Sequence, residues 1–197
     1  MNITPKQIAE FSSVNHRRVA HIQRFNTTPI LIRENVAEHS YFVAFYSMLL
    51  CEYVRQFGFE PDVEKTLKRA LMHDVEEIIS GDIITTFKYK NEEFRSLLET
   101  LNEGSMDEIL KSLPTELSDN LKDLWKNSKD DSIEGLIVKA SDKLSLVTYC
   151  MEQINIGNKY MEPIFYRAVK MLKDLNTPWV TELVDAFIEQ NKLHKLE

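Results

Sequence analysis

Residues 69–82, RALMHDVEEIISGD, set His73 beside Asp74 and put Glu77 four residues after the histidine. Imidazole and carboxylate groups are ligands for divalent ions such as Zn, Mn, Fe or Co. They also move protons in hydrolytic reactions. On a helix, His73 and Glu77 stand one turn apart on one face. Asp74 is turned by about 100° from His73 and still reaches an ion lying beside the helix. Glu76 falls off that face and is expected in solvent. The neighbours Leu71, Met72, Val75, Ile78 and Ile79 are apolar, and ionisable groups in such a stretch are costly unless paired or metal-bound. An isolated His-Asp pair is also what a solvated helix face carries, so the motif needs support from elsewhere in the chain.

Two other segments supply it. His39 lies in ENVAEHSYFVAF, with apolar Phe42 and Val43 three and four residues on, which turns the imidazole inward. Asp142 lies in IEGLIVKASDKLSLVTYC, surrounded by Ile137, Val138, Leu144, Leu146 and Val147. As an ordinary carboxylate it would pair with Lys139 or Lys143. Three separate segments thus each hold a ligand-type residue in an apolar context.

The elements that must position these groups all read as helices. Residues 36–57 repeat apolar residues at helical spacing, with Asn35 and Glu38 forming a capping-box pattern and Gly58 as the stop. Asp62 caps a second helix over 63–79, closed by Ser80-Gly81. DIITTFKYK is expected as a loop. Further helices are expected over 91–110, with Phe94, Leu97, Leu98 and Leu101 on one side, and from Pro114 through a polar stretch. SKDD reads as a loop. Then come 133–156, stopped by Gly157-Asn158, 163–175, and a last helix from Thr177-Pro178. Residues 4–24 are expected to add one more. No two-residue alternation appears, and five glycines and six prolines in 197 residues argue against a turn-rich β fold. The expected fold is all-α: a compact helical bundle forming a single domain over 1–197.

Composition narrows the function. With 43% hydrophobic and 28% charged residues the chain is ordinary for a globular protein. The net charge is −7 and no basic stripe is present, which excludes the usual duplex nucleic-acid binder. Cys51 and Cys150 stand far apart, outside any CxxC spacing, and read as buried small hydrophobes in a reducing compartment. The opening MNITPKQIAEF has no signal-peptide core, and no apolar run approaches the roughly 20 residues of a membrane span. A cytoplasmic protein with no membrane partner is expected.

The order His, then His-Asp, then a distant Asp is that of the HD phosphohydrolase superfamily, which this chain resembles. The arginine-phenylalanine pair at 24–25, RENVAEHS, HDVEEIISGD and KASDKLSLVTYCMEQINIGN are similar to the bacterial 5′-deoxynucleotidases of the YfbR-like branch. The resemblance is close over 24–90 and 133–158 and weak over 91–132 and beyond 160. It implies an HD-type helical bundle in which His39, His73, Asp74 and Asp142 hold one divalent metal ion (Co, Mn, Zn, Fe or Mg). It also implies that Glu77 is the catalytic acidic group. Asp82, in the family's Gly-Asp, would contact the sugar or an attacking water, and Arg24 would meet the substrate phosphate. Lys88 and Arg33 are further basic candidates for the phosphate, and His21 for the pocket wall. Phe25 stands where the best-known member has a Trp that walls the deoxyribose pocket. Without the indole N–H, weaker discrimination against the 2′-hydroxyl is expected. The prolines that follow Gly-Asp in the family are replaced in GDIITTFKY.

The implied activity is release of phosphate from nucleoside 5′-monophosphates. A deoxynucleoside triphosphate triphosphohydrolase would use the same motif with more positive charge beyond the first phosphate. A nucleotide-sensing module without turnover would be favoured by loss of a ligand or of Glu77, and all are present. The expected partner is a small nucleotide, and a homodimer is an expectation drawn from the relatives.

Overall fold

In the computed structural model of the chain, residues 3–13, 16–84, 88 and 91–190 are described. Most of the expected loop over 82–90 and the C-terminal residues from 191, including His194, lie outside them. The helices are α1 (Pro5–Ser13), α2 (Val36–Val54), α3 (Val63–Met72), α4 (Glu77–Ser80), α5 (Glu92–Leu110), α6 (Thr115–Lys126), α7 (Ile133–Asn155), α8 (Glu162–Lys173) and α9 (Pro178–Gln190). Among the described residues the extended pairing is a single isolated bridge, Gln23 to Asn35. The all-α expectation holds.

Local chemistry explains most boundaries. Asn35 caps α2 by accepting from the Glu38 N–H, while Glu38 accepts from the Asn35 N–H, the reciprocal pair that satisfies two orphan donors. Asp62 caps α3 through the Lys65 N–H, and Ser132 caps α7 through the Gly135 N–H. Gly58, at φ 80°, supplies the left-handed turn after α2.

Two expected helices are broken. Over 4–24 the described residues form α1, a 3₁₀ turn at His16–His21 and a non-helical stretch from 22, rather than one α-helix. The expected helix 63–79 ends at Met72, residues 73–76 form a turn, and α4 begins at Glu77. The motif residues therefore sit at a helix end, not mid-helix. The apolar neighbours divide accordingly: Leu71 and Ile79 are half exposed, whereas Met72, Val75 and Ile78 pack with Met106, Ile109 and Leu110 of α5 and Trp125 of α6.

The main core joins α2, α7, α8 and α9 through Leu50, Val54, Ile137, Val147, Phe165, Leu172 and Trp179. Cys51 and Cys150 are buried there as free thiols. A smaller cluster, Val43, Ala70 and Val138, joins α2, α3 and α7. Each of its members lies within a turn of a motif residue: Val43 after His39, Ala70 before His73, Val138 before Asp142. On α5, by contrast, part of the expected apolar side is turned out: Leu97 and Leu101 are more than half exposed, whereas Phe94 and Leu98 are partly buried.

Candidate metal centre

The Val43–Ala70–Val138 contact brings three helices together tightly enough that the next turn of each meets its neighbours. His39 is fully buried, and its Nδ1 shares a hydrogen bond of 3.0 Å with Ser145 Oγ on α7. His73, just past the end of α3, donates from Nδ1 to the Ala70 carbonyl oxygen at 2.6 Å. A carbonyl only accepts, so Nδ1 carries a proton and Nε2 is the ring nitrogen left to face the site. Both Nε2 atoms are buried without a hydrogen bond. Unpaired ring nitrogens in a buried site are costly unless something fills that role.

Carboxylates converge on the same place. Asp74 Oδ2 stands 3.0 Å from His73 Nε2 and 3.7 Å from His39 Nε2. Ligand atoms of His39, His73 and Asp74 all lie within 4.8 Å of one another, a spacing that can hold a metal ion. Asp142 Oδ1 is 3.2 Å from His39 Nε2. Burial, followed by the charge of Arg24, drives the His39 pKa down to about 3, so its ring is neutral and able to ligate. Burial works against ionisation of Asp74 and Asp142. For Asp74 the neighbouring His73 and Lys129 outweigh it, and for Asp142 Lys129 and Lys143 do, leaving both well below the usual carboxylate range. Two imidazoles and two carboxylates form a donor set suited to one divalent ion.

Beside this centre stand the other expected site residues. Glu77 is buried, and its Oε1 accepts from Lys88 Nζ at 3.1 Å. Burial first, then the charge of Asp74, pushes the Glu77 pKa up to about 9, against the pull of Lys88. Lys88, by sequence a basic candidate for the phosphate, is thus tied to the buried carboxyl. Asp82 is partly buried, and its charge acts on both Glu77 and Arg24.

Arg24 and Phe25 are brought in by a different device. The Arg24 N–H donates to the Glu34 carbonyl, and the Val36 N–H to the Ile22 carbonyl, pinning 22–24 beside the start of α2. The loop between is held on α7: Tyr149 Oη and Gln153 Nε2 each donate to the Ile32 carbonyl at 2.7 Å, and Asn158 Nδ2 to that of Pro29 at 2.9 Å. The Arg24 guanidinium pairs with buried Glu34. Phe25 has φ 60°, an uncommon conformation for a bulky residue, and its ring stacks on Tyr149 at 5.3 Å between centroids. His21 and Arg33 are exposed.

One expectation is corrected. Glu76 is not in solvent: it is buried and accepts from Trp125 Nε1 at 2.7 Å, because the turn at 73–76 rotates it under α6. Asp142 pairs with Lys143 at 2.8 Å but not with Lys139, which binds Asp131 instead. Asp142 also pairs with Lys129 Nζ at 2.7 Å, from the SKDD loop.

The family model described as 5′-deoxynucleotidase YfbR-like matches residues 11–191. A 5′-deoxynucleotidase of Photorhabdus laumondii is 30% identical over 176 residues, covering 86% of this chain and 89% of its own. One of Shewanella oneidensis is 29% identical over 172 residues, covering 87% and 88%. The fold is similar to that of an HD-domain phosphohydrolase from Listeria innocua, with a TM-score of 0.77, 24% identity, and 93% and 85% of the two chains covered.

Proposed function

The chain belongs to the YfbR-like 5′-deoxynucleotidase family, and we propose that it is a metal-dependent phosphomonoesterase acting on deoxyribonucleoside 5′-monophosphates. The observation that carries this reading is the pair of buried, unbonded Nε2 atoms of His39 and His73 facing the carboxylates of Asp74 and Asp142. These four residues would hold one divalent ion, drawn from Co, Mn, Zn, Fe and Mg. Such an ion lowers the pKa of a coordinated water towards 7 and polarises a phosphoryl oxygen.

The chain's own groups supply the rest. Glu77 keeps its proton near neutral pH and is the general acid for the leaving 5′-alkoxide. With an ion held by these ligands the Asp74 charge would be offset, and the Glu77 pKa would fall back towards the working pH, the useful range for proton transfer. Lys88 orients the Glu77 carboxyl. Arg24, aimed by Glu34, meets the phosphate and offsets charge in the transition state. Phe25, backed by Tyr149, forms the apolar wall against the sugar, and Asp82 meets the sugar or the attacking water.

A triphosphohydrolase would need cations beyond the first phosphate. The described cations at this site, Arg24, Lys88, Lys129 and Lys143, are each engaged by a carboxylate, which favours the monophosphate. Among the described residues no helix is long and apolar enough to cross a membrane. The reading extends to a single domain over 1–197, a cytoplasmic location, a nucleotide rather than duplex nucleic acid as partner, and a homodimer. Dimerisation is supported by exposed Tyr41, Phe42, Phe45, Met48 and Leu49 along α2. The test is product analysis on a panel of deoxy- and ribonucleotides with each metal. Inorganic phosphate from deoxyribonucleoside monophosphates is expected; inorganic triphosphate from triphosphates would contradict the reading.

A further inference from the structure

Lys129 is a built part of the metal centre rather than a side chain that happens to lie near it. Its loop is fixed from two sides. Buried Arg69, on α3, donates to both carboxylate oxygens of Asp130, at 2.9 and 2.8 Å, and to Ser132 Oγ at 2.7 Å. The same α3 ends at Met72, just before His73, so one helix sets both a candidate ligand and the loop. On the other side the loop lies against α7 at Gly135. A Cβ there would stand 2.7 Å from the Asp130 backbone nitrogen, closer than packed atoms allow. The position next to Asp130 is therefore held, and Lys129 is directed inward.

Its Nζ stands 2.7 Å from Asp142 Oδ2 and 3.9 Å from Asp74 Oδ1. The other oxygens, Asp142 Oδ1 and Asp74 Oδ2, are the ones near the histidines. Lys129 thus takes the outer oxygen of both carboxylates and leaves the inner pair to the imidazole side. Lys143 reaches the same Asp142 Oδ2 at 2.8 Å but makes no ion pair with Asp74. Two carboxylates would cancel the charge of a divalent ion. An ammonium shared between them leaves the loaded centre positive, which suits a phosphate dianion and opposes the metal.

We propose that Lys129 is a charge-setting positioning residue: it holds the outer oxygens of Asp74 and Asp142, weakening divalent-ion binding and strengthening phosphate binding at the loaded site. This rests on the metal reading given above.

Calorimetric titration of Co²⁺ into metal-free protein, then of inorganic phosphate into the Co²⁺-loaded protein, separates the two effects. Lys129→Met should bind Co²⁺ about tenfold more tightly and phosphate about tenfold more weakly, one charge acting on opposite partners. Lys129→Arg, which keeps the charge, should stay near wild type on both. Collapse of the site would weaken both ligands together. Weaker Co²⁺ binding by Lys129→Met, or unchanged values for both ligands, overturns the proposal for Lys129 alone. Absence of stoichiometric Co²⁺ binding by the wild type overturns the metal reading itself.

Discussion

The candidate site has two halves built on different principles. In one, regular helices deliver His39 and Asp142 one turn from the Val43–Ala70–Val138 contact. In the other, a helix break and a loop deliver the remaining charge: the turn 73–76 brings Asp74 and Glu76 and sets Glu77 at the start of α4, where helical Lys88 meets it, and the loop before α7 brings Lys129 and Asp130. The regular half fixes where ligand atoms sit, because packed helices leave little freedom of register. The irregular half decides protonation and net charge, through Glu77 against Lys88, Glu76 against Trp125, and Lys129 between Asp74 and Asp142. His73 stands at the join, the last residue set by α3 and the first of the turn.

If that division holds, changes in the irregular half should damage chemistry while leaving the ligands in place. The largest effect is expected at Glu77. Glu77→Gln keeps shape and can still meet Lys88, but cannot transfer the proton, so kcat should fall by about 10²-fold or more, with little change in KM or metal content. Steady-state kinetics beside metal analysis of the purified variant checks it. Near-normal kcat would move the acid role to Asp82.

A smaller effect is expected one residue earlier. Trp125→Phe removes the indole N–H that Glu76 accepts from and leaves a buried carboxyl without that donor. It should cost about 1–3 kcal/mol of stability in denaturant titration. The metal-binding stoichiometry should not change, since Glu76 only supports the turn.

The regular half makes its own prediction, in the metal-free protein. The unfolded chain protonates a histidine near 6.5, whereas His39 in the fold does so only at about 3. Between those values the unfolded state binds more protons, so stability is present above 6.5 and lost as pH falls towards 3. The His39 contribution is at most about 1.4 kcal/mol per pH unit. His39→Gln should flatten the slope of unfolding free energy between pH 6.5 and 5. Glu77, whose shift has the opposite sign above 4.5, is common to both proteins and cancels in the difference. An unchanged slope would mean that His39 is not buried neutral.

The same division explains what could be read from the sequence. His39 and Asp142 were legible because helical periodicity turns them inward whatever the tertiary detail, and the caps at Asn35 and Asp62 are local chemistry. His73 and Asp74 were legible as a motif, but the break at 73–76 was not. Nothing in HDVEE stops a helix; the break follows from packing of Met72, Val75 and Ile78 against α5 and α6, which is long-range. That is also why Glu76 was misplaced, since a continuous helix would carry it to the outer side. Lys129 and Arg69 were missed because a lysine in SKDD and an arginine in KRAL carry no periodic signal. The one hint was Gly135 inside an otherwise good helix, which marks a close backbone approach.

The central claim is that both halves meet on one divalent ion. Anomalous diffraction from crystals soaked in Co²⁺ or Zn²⁺, collected on each side of the metal's absorption edge, tests it most directly. The account predicts a single strong peak bounded by His39 Nε2, His73 Nε2, Asp74 and Asp142, absent from Asp74→Ala crystals treated alike. A peak elsewhere, or one that persists in Asp74→Ala, would contradict it.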